Sequence, residues 1–233
     1  DRETYGNVLL KGTYIPGGPM LPPSLDYAFD ELDKMNPDKY DVEAAKKLLA
    51  DAGWKDTDGD GFVDKDGKNL ELNFTFYSGR AELPLFAEAV QSDAKKVGIK
   101  VNLKNVDYNI LFDIGKKGEY DLLISNILTE QAGDPEFFMN VYFRTNKDGN
   151  TPENASGYSN PEYDALSEKL SGEFDPAKRR DIIIQMEKIM MNDAGIVVLG
   201  YPKTNLVSSK NIANANIYPC DYYWVTKDIT PAK

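Results

Sequence analysis

Leu72-Asn73-Phe74-Thr75-Phe76-Tyr77 decides the fold, together with the helix and strand patterns on its C-terminal side. Leu72, Phe74 and Phe76 alternate with Asn73, Thr75 and Tyr77, the two-residue period of a strand. Residues 83–97 then place Leu85, Phe86, Ala89, Val90, Ala94 and Val97 at helical spacing, and Gly98 closes that helix. Ile99, Val101 and Leu103 alternate again. Asp107 stands where a helix cap is needed, ahead of Ile110, Leu111 and Ile114, and Gly118 stops that helix. Leu122-Leu123-Ile124 is an unbroken apolar run, the pattern of a strand buried on both faces. Strand, helix, strand, helix, strand predicts an α/β fold with a mainly parallel sheet, flanking helices and right-handed crossovers.

Upstream, Asp41 caps a helix from Val42 to about Ala52, with Ala44, Ala45, Leu48 and Leu49 on one face and Gly53 at its end. Residues 13–40 hold Pro16, Gly17, Gly18, Pro19, Pro22 and Pro23, a density that predicts an extended segment on the surface. Residues 1–12 predict a short helix closing at Lys11-Gly12. Downstream, Asn160-Pro161 and Asp175-Pro176 each set a capping side chain before a proline at the first helical position. The first helix carries Tyr163, Leu166 and Leu170, and the second Ile182, Ile183, Met186, Ile189 and Met190. Residues 196–199 predict a strand, which 205–208 continue after Pro202. The domain division is therefore 1–40, an extended Pro-rich segment with a short N-terminal helix; 41–210, an α/β lobe; and 211–233, an aromatic tail.

Composition narrows the chemistry. The 233 residues suit one or two domains, and 41% hydrophobic residues are enough for a core. No apolar run approaches the ~20 residues of a membrane helix. With 38 acidic against 27 basic residues the net charge is -11, which argues against nucleic acid as a partner. The absence of histidine removes Ser-His-Asp and Cys-His catalysis and the commonest zinc and nickel sites within this chain. A single cysteine, Cys220, excludes an internal disulfide and any CxxC metal site. There is no G-x-S-x-G motif and no P-loop. The chain opens Asp1-Arg2-Glu3, inside a polar helix-like stretch, and the expectation is that it starts part-way through a longer protein.

Two constellations stand out. Asp56-Thr57-Asp58-Gly59-Asp60-Gly61-Phe62-Val63-Asp64 has carboxylates at positions 1, 3, 5 and 9 and glycine at 6, the first part of a calcium loop. Position 12 is Gly67 rather than glutamate, so Asp64 or Asp66 would complete the shell, and calcium held by Asp56, Asp58, Asp60 and Asp64 would be structural. The same residues read equally as a solvated acidic turn. The second constellation runs from Thr129 through Glu130, Gln131 and Asp134 to Phe137 and Phe138. It lies just past the third strand, where open parallel sheets bind ligands. Glu130, Gln131, Asp134, Phe137 and Tyr142 are the candidate ligand contacts. Asp134, ahead of Pro135, also has the position of a helix cap. The aromatic tail, with Tyr218, Tyr222, Tyr223 and Trp224, reads as a stacking surface or as packing for a neighbouring domain.

These residues together resemble a known family. Asp41-Val42-Glu43-Ala44-Ala45-Lys46-Lys47-Leu48-Leu49-Ala50-Asp51-Ala52-Gly53-Trp54, followed by an Asp-Gly-rich turn, is similar to a stretch of the family 5 extracellular solute-binding proteins, the peptide- and nickel-binding components of ABC importers. The likeness continues through Gly118-Glu119-Tyr120-Asp121, Gly133-Asp134-Pro135 and Gly157-Tyr158-Ser159-Asn160-Pro161-Glu162-Tyr163-Asp164 to Asp175-Pro176-Ala177-Lys178-Arg179-Arg180. The resemblance implies a periplasmic-binding-protein-like lobe with no enzyme activity. Its ligand would be a peptide or a nickel-chelate-type small molecule, and its partners a missing N-terminal lobe and an ABC permease in the membrane. It implies an extracytoplasmic location, no required cofactor, and a tail that returns toward the first lobe. Dipeptide-binding members carry an acidic residue three positions before the Asp-Pro pair, where this sequence has Gln131. A neutral amide cannot form that ion pair, so an amine anchor is weakened, a nickel chelate or anionic ligand is favoured, and Glu130 becomes the alternative acidic partner. Acidic hydrolase and calcium-dependent binding module are the rival classes.

Overall fold

The computed structural model describes residues 1–36, 39–130, 133–149, 151, 153–218 and 225–232. The chain opens with α1 (Arg2–Thr4), capped by the Asp1 carboxylate, and runs on as a π turn over Tyr5–Leu9. Strand β1 (Tyr14–Pro16) follows. The segment 13–40 is not the extended surface strip its prolines suggest. Between Pro23 and Pro37 comes a helix, α2 (Phe29–Met35), and Met20, Leu21 and Leu32 are buried. Prolines forbid helix only where they stand, and apolar side chains between them still seek a core.

Helix α3 (Val42–Asp51) is capped by Asp41, which accepts from the Ala44 amide at 2.9 Å. Its inward face differs from the expected one. Val42, Ala45 and Leu49 are half-buried, whereas Ala44 is exposed and Leu48 is 70% exposed. The acidic turn leads into a small hairpin of β2 (Asp64–Lys65) and β3 (Lys68–Asn69).

The parallel sheet forms as the alternation requires. β4 (Glu71–Tyr77) is its centre, and helix α4 (Glu82–Lys96) leads to β5 (Lys100–Val106), parallel to β4 from Glu71↔Lys100 to Tyr77↔Val106. Helix α5 (Tyr108–Lys117) is capped by Asp107 and closed by Gly118 at φ +67°. It leads to β6 (Leu122–Leu123), which pairs with β4 on the other side. β6 departs from expectation. It is a two-residue edge strand and both leucines are half-buried, because the apolar run has β4 on one side and no described strand on the other. β4 is the strand covered on both faces: Phe74, Thr75, Phe76 and Tyr77 are all buried. They share a core with Tyr5, Leu10, Tyr14, Leu83, Phe86, Val101 and Leu111.

A second core is helical. α6 (Glu136–Phe143), α7 (Pro161–Ser171) and α8 (Pro176–Asn192) enclose Phe138, Met139, Phe143, Tyr163, Leu170, Ile182, Ile183, Met186 and Met190, and Met20 and Leu21 pack among them. Both Asx-Pro starts work as caps: Asn160 accepts from Glu162 and Tyr163, Asp175 from Ala177 and Lys178. The strand expected at 196–199 lies further on, as β7 (Gly200–Pro202), antiparallel to β1. Pro16, opposite Gly200, has no N–H, so the ladder cannot extend back through 196–199; a single bond from the Gly17 amide to the Leu199 carbonyl remains. The two chains cross closely there, and a Cβ on Gly17 would stand 1.8 Å from the Val198 carbonyl oxygen.

Residues 17–21 join the two cores. The Gly18 amide donates to the Tyr201 hydroxyl at 3.1 Å, that hydroxyl donates to the Pro19 carbonyl, and the Leu21 amide donates to Glu187 Oε1 at 2.8 Å. Beyond Lys203, hydrogen-bonded to Thr13, the described tail bonds only to itself, through β8 (Ile212–Ala213) and β9 (Thr230–Pro231). Cys220, Tyr222, Tyr223 and Trp224 lie outside the described residues.

Candidate ligand-binding site

Because β4, β5 and β6 run parallel, their carboxyl ends share one edge of the sheet, and the turns that leave them meet there. Tyr77 ends β4. Its buried ring lies 5.0 Å from that of Tyr108, the first residue of α5, and Tyr108 meets Phe112 edge-on at 5.7 Å. Tyr108 is 51% exposed, so the row presents an aromatic face at the sheet's edge. It is fixed from below: Asp107 accepts from the Asn109 amide at 2.8 Å, and Asn105 donates to Ser78 Oγ at 3.2 Å, tying the end of β5 to the turn after β4. The sequence signal for this row was the tyrosine at the last strand position and the one directly after the cap, which alternation and helical spacing pass over.

The loop after β6 carries the expected contacts. Glu130 is 3% exposed; Oε1 accepts from the Gly133 amide, and Oε2 is buried without a partner among the described residues. Gln131 lies outside the described residues. Asp134 accepts from the Glu136 amide at 2.8 Å from one position ahead of the N-cap, which is Pro135, so it holds the first amide of α6 without being the cap expected of it. Both its oxygens also take Arg179, at 2.9 Å from Nη2. Arg179 further donates to Glu136 Oε2 at 2.8 Å and to the Leu170 and Glu173 carbonyls at 2.9 and 2.7 Å. Burial pushes the Glu136 carboxyl up, but the hydrogen bonds from Arg179 and Ser171 outweigh it and hold the group below its ordinary range. Asp134 is thus bound into a structural cluster that pins α6 to α8. Phe137 is exposed beside a cavity of about 450 Å³ lined by Asp134, Glu136, Asn140, Val141 and Arg179. Tyr142 is half-buried against Phe138, rings 5.8 Å apart, and burial pushes its phenol up.

In the acidic turn, Asp56, Asp58 and Asp64 bring one carboxylate oxygen each within 4.8 Å of one another. Asp60 turns elsewhere, accepting from Asn69 and from the Phe62 amide, both at 2.8 Å. Asp56 accepts from the Gly59 and Gly61 amides at 2.7 and 3.0 Å, and buried Asp64 from the Thr57 amide at 2.7 Å. These bonds close the turn by themselves.

The family model for the bacterial extracellular solute-binding proteins, family 5 Middle, matches residues 1–150. The chain belongs to this family. Among family 5 relatives, the oligopeptide-binding protein AppA of Bacillus subtilis is 26% identical over 238 residues, covering 97% of this chain and 42% of AppA. The nickel-binding protein NikA of Staphylococcus aureus is 27% identical over 187 residues, covering 80% of this chain and 35% of NikA. The structure of AppA in complex with a nonapeptide superposes with a TM-score of 0.73 at 25% identity, over 94% of this chain and 43% of that one. A mannohexaose-bound periplasmic oligopeptide-binding protein of Thermotoga maritima superposes at 0.76 and 26% identity, over 86% of this chain and 39% of that one. The chain spans less than half the length of these relatives. They are named as binding proteins, and no helix among the described residues is long and apolar enough to cross a membrane.

Proposed function

We propose that this chain is one lobe of the solute-binding component of an ABC importer, without enzyme activity, that holds a peptide or nickel-chelate-type ligand at the carboxyl edge of its parallel sheet. The observation that carries the reading is the half-exposed Tyr108, seated on Tyr77 at the edge where parallel sheets take ligands, in a member of a solute-binding family. Aromatic faces give such a site apolar area at little entropic cost. The Glu130 oxygen that has no partner among the described residues supports a cationic group in the ligand, since an ammonium arriving there satisfies a buried acceptor. Capture would be completed by a second lobe closing over the ligand, outside the membrane, with a permease as the downstream partner. The self-bonded tail suits a segment that returns to that second lobe. The other buried acids have structural work: Asp64 holds Thr57, Asp164 holds the Thr145 amide, and Glu187 holds Leu21.

The test is an NMR titration of the protein with trialanine and with the nickel–histidine complex. One of them is expected to move the resonances of 77–80, Tyr108 and 126–130. Tyr108→Ala is expected to weaken that binding about tenfold, and Glu130→Gln to weaken trialanine but not N-acetyl-trialanine. If neither probe moves this edge, the reading fails.

A further inference from the structure

We propose that residues 17–21 are a pH-operated latch between the two cores, held shut by the protonated carboxyl of Glu187 and loosened when that carboxyl ionises. On the sheet side the segment is fastened by three bonds between uncharged groups. The Gly17 amide donates to the Leu199 carbonyl at 3.2 Å, the Gly18 amide to the Tyr201 hydroxyl at 3.1 Å, and that hydroxyl to the Pro19 carbonyl. On the helix side its backbone is held by Glu187 of α8, which accepts from the Leu21 amide at 2.8 Å and is also reached by the Met20 amide. Met20 and Leu21 bury their side chains in the helical core. The segment therefore lies against the carboxyl and shares its shelter from water.

Geometry decides which form of Glu187 the closed latch holds. The residue has no solvent exposure, one oxygen takes the amide, and Oε2 is buried without a partner among the described residues. A carboxylate there would leave a charged oxygen bare in an apolar surround, a far larger cost than a neutral acid in the same seat. Burial accordingly pushes the group up from 4.5 to about 8, against the pull of the Leu21 and Met20 amides. The titratable groups that face it are phenols: Tyr27 ahead of α2, Tyr163 on α7 and Tyr201 on β7, all raised by burial and neutral through this range. The charged groups around them act on the phenols: Asp134, Arg179 and Arg180 on Tyr27, Asp164 on Tyr163, and Arg2 and Asp33 on Tyr201. Residues 17–21 carry no titratable side chain. An ionised Glu187 reaches water either by unravelling α8, a helix of 17 residues, or by lifting the short segment against it, and lifting breaks fewer bonds. Once lifted, the carboxyl is hydrated and returns toward 4.5. Below 4.5 both states hold the proton, and opening is independent of pH. Between 4.5 and 8 opening releases a proton, so the open population rises about tenfold per pH unit, and above 8 it levels off. The latch is tight in acid and loose toward alkaline pH.

The experiment is amide hydrogen exchange followed by NMR, on the wild type and Glu187→Gln from pH 5 to pH 7.5, where closing outpaces exchange, with rates corrected for base catalysis of the exchange itself. Protection of the Leu21 amide in the wild type is expected to fall about tenfold per pH unit. At pH 7 it should lie at least about tenfold below the protection at the centre of β4, the mark of a local opening. Glu187→Gln keeps an acceptor for Leu21 and cannot ionise, so its Leu21 protection should not change with pH. The carboxyl carbon resonance of Glu187 in the wild type, which needs no variant, is expected to titrate with a midpoint near 8. Leu21 protection equal to that of β4 at every pH would mean that the segment opens only with the whole fold, and overturns the latch. Wild-type protection that stays flat, a slope that survives in Glu187→Gln, or a carboxyl midpoint near 4.5 overturns it as well.

Discussion

Glu187→Gln is expected to make the protein relatively more stable as pH rises. Glu187 sits in α8 with no solvent exposure, gives one oxygen to the Leu21 amide at 2.8 Å, and leaves the other without a partner among the described residues. Burial pushes its carboxyl up from 4.5 to about 8, against the opposing pull of the Leu21 and Met20 amides. Below pH 4.5 both folded and unfolded chains hold the proton, and the group costs nothing. Between 4.5 and 8 the folded chain keeps a proton that the unfolded chain releases, so stability falls by about 1.4 kcal/mol per pH unit. At pH 7 the loss is about 3 kcal/mol, and it levels off once the folded group ionises near 8. The groups facing Glu187 do not blur this window: Tyr27, Tyr163 and Tyr201 are phenols that burial holds above their ordinary range. Glutamine keeps the acceptor for Leu21 and cannot ionise, but its amide N–H₂ lacks an acceptor, a cost of about 1–3 kcal/mol. Urea denaturation of both proteins from pH 5 to pH 9 should therefore find the variant the weaker near pH 5, the two crossing between about pH 5 and 7, and the variant ahead above pH 8. A stability difference that stays flat across the range would refute the assignment of a buried, proton-holding carboxyl.

Gly17→Ala should destabilise the fold by roughly 3 kcal/mol, since the new Cβ meets backbone at 1.8 Å rather than a side chain that can move away; a melting temperature within a degree or so of wild type would contradict the close crossing of β1 and β7. Asp64→Ala should cost about 1.5–3 kcal/mol by orphaning the Thr57 amide and hydroxyl. Calorimetric scans in calcium and in chelator are expected to show the same loss, whereas a calcium-dependent rise of the wild type alone would assign a metal to the turn.

The sheet was legible because its determinants are local. The alternation in β4 and β5, the 3.6-residue spacing in α4, and stops at Gly98 and Gly118 need no knowledge of the rest of the chain, and the same is true of the Asx-Pro starts of α7 and α8. What the sequence hid depends on distant partners. Nothing near Met20 and Leu21 says that α8 will receive them, nor that Arg179 will bind Asp134 across 45 residues. Leu48 turned outward although its helix is amphipathic, because the neighbouring elements cover only the stripe of Val42, Ala45 and Leu49. Of the candidate site, the loop after β6 could be placed from the sequence, while Tyr77 and Tyr108 come together only when parallel strands bring their turns to one edge.

The stretch of chain from Gly17 to Leu21 also sets the order of events during synthesis. Leu21 and its acceptor Glu187 are 166 residues apart, so Met20 and Leu21 have no seat until α8 has been made. At 5–20 residues per second that wait is on the order of 10–30 s. The β4–α4–β5–α5 unit, whose contacts are near in sequence, can form within it. Two apolar side chains between prolines remain uncovered throughout, and the prolines keep them from joining a stray strand in the meantime. The seam between the two cores can therefore close only once α8 has been made.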